Sequence, residues 1–311
     1  MKVLITGGFG FLGGRLAQYL SLSGCQVVLT SRKYYKQQPT WLPESIITQI
    51  DWDSRKSIEE CLIGVDAVVH AAGMNSNDCY TNPVAAYDFN TLATAKLVEE
   101  ACKQNIKKFV YFSTYHVYST PMSGIITEDT CTTNYHPYAA SHHAAENIVL
   151  WATQQNNLEG VVLRFSNVVG SPAHEDADCW SLIANDLSKQ AVEKKVIKLK
   201  SSGNQYRDFV AITDVLSVVK YFLTNSQNRH QCPLYNVGGG SSHTVYDIAK
   251  LIRNSYQSMF GESLIITRSD NNNGENCVQF TYSINRLKEL GINTCNNLKY
   301  EIDDLISFCA K

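Results

Sequence analysis

Long apolar runs are missing from this chain of 311 residues. None approaches the roughly 18 residues that a membrane span requires. The apolar stretch Met1–Ile5 is too short for the core of a secretory signal and runs straight into a glycine-rich turn. An excess of one charge is missing too. The 27 Lys and Arg against 29 Asp and Glu leave a formal charge of −2, which excludes the basic footprint of a nucleic-acid binder. The small cluster Lys194, Lys195, Lys198 and Lys200 is expected to be a solvated helix end and strand face. Ten cysteines are present, but none stands in a C-x-x-C pair, so the usual spacing of a zinc site is absent and no metal is expected. Free thiols in a reducing cytosol are the expectation. There is no internal repeat and no low-complexity tract. What remains, 44% hydrophobic and 18% charged residues, describes a well-buried soluble globule: one large α/β unit or two fused ones.

Strand and helix patterns alternate through the first half. Short apolar runs at Lys2–Ile5, Val27–Leu29, Ile46–Asp51, Ala67–His70, Phe109–Ser113 and Gly160–Arg164 read as strands. Helical spacing is found at Arg15–Ser23, Lys56–Leu62, Val84–Gln104 and Tyr138–Gln155. This order predicts a doubly wound parallel sheet with right-handed crossovers. After Arg164 the rhythm breaks. Helices are expected at Trp180–Gln190, Thr213–Leu223 and Val245–Tyr256, strands at Val196–Leu199 and Leu234–Val237, and a polar loop at Asn271–Gly274, with two short helices near the end. The expected division is a Rossmann unit over 1–168, to which 210–238 return, and a smaller discontinuous unit over 169–209 and 239–311 that covers a substrate.

The loop Thr6-Gly7-Gly8-Phe9-Gly10-Phe11-Leu12-Gly13 follows a strand and opens a helix. In that context Gly7 permits a tight turn, Gly10 lets a diphosphate approach the backbone, and Gly13 lets helix and sheet pack closely. Free N–H groups at the helix start then face the phosphates. A dinucleotide site is expected. Its second strand ends in Thr30-Ser31-Arg32-Lys33, without the carboxylate that accepts from an NAD ribose hydroxyl. Two cations stand there instead, and Arg pairs with phosphate bidentately, so NADP is favoured and NAD is the alternative.

These motifs and their order resemble the extended short-chain dehydrogenase/reductases, specifically the NAD-dependent epimerase/dehydratase family of nucleotide-sugar enzymes. The resemblance covers nearly the whole chain. It implies that Gly7, Gly10, Phe11, Leu12, Gly13, Ser31 and Arg32 meet the cofactor, that Asp51 and Trp52 contact adenine, and that Ala71 and Ala72 lie beneath the dinucleotide in His70-Ala71-Ala72-Gly73. Asn90, in the long helix, matches a structural asparagine of the family and is counted with the cofactor residues. VYFSTYHVYS at Val110–Ser119 resembles the strand and loop bearing the catalytic hydroxyl, here Thr114, and Tyr138 in PYAASHHAAE matches the catalytic tyrosine. Phe165, Asn167 and Val168 follow Leu163-Arg164 in the segment that joins nicotinamide to substrate. Arg207-Asp208-Phe209 resembles the motif whose arginine meets a substrate phosphate. Tyr235–Gly238 and Arg286–Gly291 complete the pattern.

The chemistry so implied is oxidoreduction at a ring carbon of a nucleotide sugar, of epimerase or reductase type. Tyr138 would move the proton as hydride moves, and Thr114 would position the substrate oxygen. One departure bears on this directly. The family pattern Tyr-x-x-x-Lys is here Tyr138-Ala139-Ala140-Ser141-His142. Residues four apart share a helix face, but an imidazole with an ordinary pKa of about 6.5 is mostly neutral at pH 7 and stabilises a phenolate far less than lysine. Three readings stay open: His142 replaces the lysine as ribose ligand, the chemistry has moved to other groups, or the protein binds its cofactor with little turnover. Tyr115-His116 replaces the Asp-Glu pair of the 4,6-dehydratases, which argues against that elimination in its usual form; pocket lining is expected of both, with a base role for His116 as the alternative. A sugar-nucleotide phosphate is left with Arg207 alone, since Asn273-Gly274-Glu275-Asn276 falls where a second arginine is common. NADP-dependent reduction of a smaller carbonyl compound is the further alternative. The helices at 84–104 and 138–155 match those that pair in family homodimers, so two-fold self-association is expected.

Overall fold

The computed structural model of the protein describes residues 1–118, 121–155, 157–225, 233–269 and 277–311. Seven parallel strands form the central sheet: β1 Lys2–Thr6, β2 Gln26–Ser31, β3 Ile46–Gln49, β4 Ala67–His70, β5 Lys108–Thr114, β6 Glu159–Phe165 and β7 Leu234–Val237. Their order is β7-β6-β5-β4-β1-β2-β3. The order reverses beside β1, and the crevice at the carboxyl ends of β1 and β4 is the topological switch point where such sheets bind ligands. The inner strands are buried on both faces, which is why they read as continuous apolar runs. In β5, Val110 and Phe112 join one core cluster while Phe109 and Tyr111 join the other. The alternation of a strand therefore puts Tyr111 and Ser113 on one side of the sheet and Thr114 on the other.

The first helix differs from expectation. It spans Phe11–Leu22 (α1), starting four residues before Arg15, and Gly10 is its N-cap. Gly13 and Gly14 are helical residues, not turn residues: a Cβ on Gly13 would strike the Gly7 carbonyl, and one on Gly14 would press on Ala173 at 3.1 Å. Close packing, not chain reversal, requires these two glycines. Arg55–Leu62 (α2) lies within a residue of its expected span. The long helix expected over 84–104 is three joined pieces: Pro83–Ala86, a π-helical turn at Tyr87–Leu92, and Ala93–Lys103 (α3). The π turn inserts a residue into the ladder and carries Asn90, whose side chain accepts the Met74 amide and donates to Ser141. Pro137–Gln154 (α4) follows β5.

Beyond β6, three short strands outside the sequence expectation, Asn167–Val169, Tyr206–Ala211 and Ser242–Thr244, form a second sheet. The helix expected at 180–190 spans Ile183–Lys194 (α5), because the turn through Cys179–Leu182 delays its start. Ile212–Thr224 (α6) packs into the same core cluster as α1. Val245–Phe260 (α7), Leu298–Cys309 (α8) and α5 share a separate cluster around Leu187, Ile252 and Ile302. The loop expected at Asn271–Gly274 and the segment Asn273–Asn276 lie outside the described residues, as does Ser119. Among the described residues no helix is long and apolar enough to cross a membrane.

Candidate functional site

Gly7 adopts φ +68, a left-handed conformation that only glycine takes without strain, and its carbonyl accepts the Gly10 N–H at 2.9 Å. A Cβ on Gly7 would lie 2.8 Å from the Ala71 carbonyl, so β1 and β4 close against each other here. No side chain caps the first turn of α1, which leaves amide donors open at the positive end of the helix. That cradle fits a diphosphate. Gly7, Gly10, Ser31, Arg32, Trp52, Ala71 and Ala72 line one cavity together with Phe9, Tyr35 and Phe89. Asp51 lines the wide cleft that opens from it.

A buried network fixes this floor. Thr94 donates to the Asn90 carbonyl, so its oxygen accepts from His70 Nε2 at 2.9 Å. His70 Nδ1 then accepts from Thr6 at 2.6 Å, and the Thr6 oxygen receives the Ala72 N–H. Burial pushes the His70 ring down to about 3, so it holds this network as a neutral hinge between β1 and β4.

The second half of the site lies between α1, β5 and α4. Phe11, Leu12, Ala71, Thr114, Tyr115, His116, Tyr138, His142, Phe165, Asn167 and Val168 line one cavity of about 290 Å³. Burial pushes the Tyr138 phenol up, while a hydrogen bond with the Thr114 side chain pulls it back. The rings of Tyr138 and His142 meet edge to face with centroids 4.6 Å apart, as expected for residues four apart on a helix. His142 is buried, and its Nδ1 lies 2.8 Å from the Tyr111 hydroxyl. Burial, aided by His116, pushes His142 down to about 4, so the imidazole is neutral at pH 7. His116 opens onto the cleft with its ring centroid 6.1 Å from that of Tyr138. Enclosure by the cleft walls and the Arg207 charge push it down to about 4 as well. Asn167 donates to the Tyr115 hydroxyl and to the Asp208 carbonyl on the neighbouring strand of the second sheet.

Beneath Tyr138 and His142 on the same helix face is Glu146, fully buried. It accepts from Arg164 through Nε at 2.8 Å and Nη2 at 2.6 Å, and from Ser113. Arg164 also donates to Tyr118. Burial opposes the guanidinium charge, but Glu146 more than compensates and raises its pKa. This pair clamps α4 to β5 and β6.

Three expected residues stand apart from the cavities. Gly13 is packed against the Gly7 carbonyl, Asn90 is buried and holds backbone, and Arg207 faces Tyr115 and His116 by its charge without lining the cavity. The sequence reading missed Tyr111 and an aromatic cluster over the glycine loop. Phe9 stacks on Tyr35 with centroids 4.6 Å apart, Trp41 stacks on His174 at 4.8 Å, and His174 Nε2 contacts the Phe9 carbonyl at 3.0 Å. Phe9 occupies a free position of the glycine motif, the one local signal available; its partners come from distant loops.

The fold has counterparts among known proteins. The model of the NAD dependent epimerase/dehydratase family matches residues 3–238. UDP-glucose 4-epimerase of Bacillus subtilis (strain 168) is 24% identical over 314 aligned positions, covering 94% of this chain and 91% of that protein. Among solved structures, the UDP-glucose 4-epimerase of Thermus thermophilus in complex with NAD has TM-score 0.81 at 20% identity, covering 99% of each chain. UDP-glucuronic acid 4-epimerase from Bacillus cereus, in complex with UDP-glucuronic acid and NAD, has TM-score 0.80 at 22% identity, again over 99% of each chain. The doubly wound architecture is shared with both.

Proposed function

The chain belongs to the NAD-dependent epimerase/dehydratase family, and from that premise we propose that it catalyses oxidoreduction at a ring carbon of a nucleotide sugar, as an epimerase. The observation that carries the reading is Tyr138, hydrogen-bonded by Thr114 in a cavity that also holds the His142 ring edge and continues to the glycine cradle. When bound, the nicotinamide dinucleotide takes and returns the hydride. The amides at the start of α1 hold its diphosphate, and Trp52 with Asp51 lies beside its adenosine. His142 meets the nicotinamide ribose, Thr114 orients the substrate hydroxyl, and Tyr138 accepts and returns that hydroxyl's proton. Phe165 and Val168 wall the cavity, Tyr115, His116 and Asn167 line its substrate side, and Arg207 attracts a phosphate near them.

Two features shade this reading. The neutrality of His142 supports a second one, a cofactor-binding protein with little turnover, because no permanent cation assists the phenol. At the end of β2, Arg32 and Lys33 line the adenosine cavity and support NADP, although both solved neighbours named above carry NAD. Arg32→Ala should weaken NADP by about 10- to 100-fold, the worth of one charge-assisted pair. NAD should change less than twofold; equal loss of both removes the case for NADP. Trp151 and Leu92, exposed on the outer face of α4 and its neighbour, support homodimerisation through these helices. The unit built on α5, α7 and α8 is proposed to cover the substrate, and free thiols fit a cytosolic protein.

The test is incubation with UDP-sugars and catalytic NAD or NADP, read by proton NMR of the anomeric region. Wild type should interconvert epimers while Tyr138→Phe binds cofactor equally and turns nothing over. Equal turnover by both proteins would remove Tyr138 from the mechanism; bound cofactor without turnover by wild type would establish the second reading.

A further inference from the structure

His142 and Tyr111 face each other across the packed interface of α4 and β5. Tyr111 is 1% exposed and His142 is 6% exposed, so water does not serve either polar group freely. The only hydrogen bond of the Tyr111 hydroxyl among the described residues is the 2.8 Å contact with His142 Nδ1. Such a contact can run in two directions, and the two differ in what they leave unsatisfied. If Nδ1–H donated to the phenol oxygen, the buried phenol proton would have no acceptor, a cost of about 1–3 kcal/mol. If the phenol donates, the hydroxyl proton and Nδ1 satisfy each other. Phenol is also the stronger acid of the two neutral partners.

The other edge of the ring points elsewhere. His142 Cε1 and Nε2 lie nearest to the position a Gly73 Cβ would occupy, at 3.4 and 3.6 Å. Gly73 lines both the adenosine cavity and the catalytic cavity, at the seam between them. The other groups around the ring are the Tyr138 phenol, the His116 and His70 rings and the Asn90 amide, whose oxygen accepts the Met74 N–H.

We infer that Tyr111 is a positioning residue: its hydroxyl donates to His142 Nδ1 and thereby fixes the tautomer whose Nε2–H is presented to the seam at Gly73. The consequence for this site is specific. A lysine supplies donors by virtue of its charge; here an uncharged ring is made an obligate donor by a second side chain on the neighbouring strand. Protonation of Nδ1 would turn the phenol oxygen into an acceptor and leave its buried proton without a partner, so Tyr111 also disfavours the charged ring. That Nε2–H meets a cofactor ribose hydroxyl rests on the function proposed above; the tautomer itself does not.

The experiment is long-range proton–nitrogen correlation NMR on protein labelled with ¹⁵N-histidine, with His142 assigned through His142→Gln. Wild type without cofactor should show an unprotonated Nδ1 and a protonated Nε2 on His142. Tyr111→Phe should shift the nitrogens towards a mixture of tautomers and weaken NAD or NADP binding about fivefold, the loss of one orienting hydrogen bond. A protonated Nδ1 in wild type overturns the inference, and so does an unchanged tautomer in a folded Tyr111→Phe. Should Tyr111→Phe fail to fold, the wild-type spectrum alone decides. If wild type shows the expected tautomer yet binds neither dinucleotide, the assigned function fails while the role of Tyr111 in setting the ring stands.

Discussion

Replacing His142 with lysine should accelerate the reaction near neutral pH. In the native protein the base form of Tyr138 is scarce, because burial raises the phenol's pKa and the adjacent imidazole carries no charge to oppose it. Abstraction of the substrate's hydroxyl proton needs the phenolate, so the rate should climb with pH along a limb set by Tyr138. The rings sit 4.6 Å apart. An ammonium at that separation is worth roughly 3.6 kcal/mol at an effective dielectric near 20, or a fall of about 2.6 in the phenol's pKa. Screening by solvent in the cleft and the cost of burying the ammonium trim this to an expected gain of about tenfold at pH 7. The assay is steady-state turnover of a UDP-sugar from pH 6 to 11 with saturating cofactor, for wild type and His142→Lys. The basic limb should move to lower pH with the substitution. An unmoved limb, with cofactor bound as tightly as in wild type, refutes the claim that the charge state at position 142 governs Tyr138.

Glu146→Gln leaves the Arg164 guanidinium buried without its counter-charge and should cost about 3 kcal/mol in urea unfolding; a loss below about 1 kcal/mol would mean the pair is not desolvated. Gly13→Ala forces a methyl into the Gly7 carbonyl, so dinucleotide binding should be lost in fluorescence titration, and retention of binding would refute the close-packed loop. His70 is neutral when folded to about pH 3 but titrates near 6.5 when unfolded, so the unfolded chain binds more protons below 6.5 and this residue's stabilising contribution is lost as pH falls. The stability gap between wild type and His70→Gln should therefore narrow from pH 7 to pH 4, and a widening gap would show that the ring is charged in the fold.

Local spacing reached much of this protein. The strand–glycine–helix succession at the start, the alternation up to Arg164, and the i, i+4 pairing of Tyr138 with His142 are short-range properties, and each appears in the fold where it was expected. The helix at Phe11 was misread because glycine signals a turn by its backbone freedom. At Gly13 and Gly14 its use is the missing side chain, which matters only once another segment presses against it. The π turn at Tyr87–Leu92 escaped periodicity because a single inserted residue leaves the apolar stripe nearly intact.

By itself, then, the sequence determined the parallel sheet, the glycine cradle and the place of the phenol on its helix, because hydrophobic period and glycine placement act within a few residues. Tertiary structure alone decided that burial drives His142 well below its ordinary pKa, that Tyr111 reaches its Nδ1, and that Glu146 and Arg164 form a desolvated pair. Burial and hydrogen-bond partners depend on which residues from distant strands converge, and those set the charge on an imidazole whose unperturbed pKa lies so close to 7.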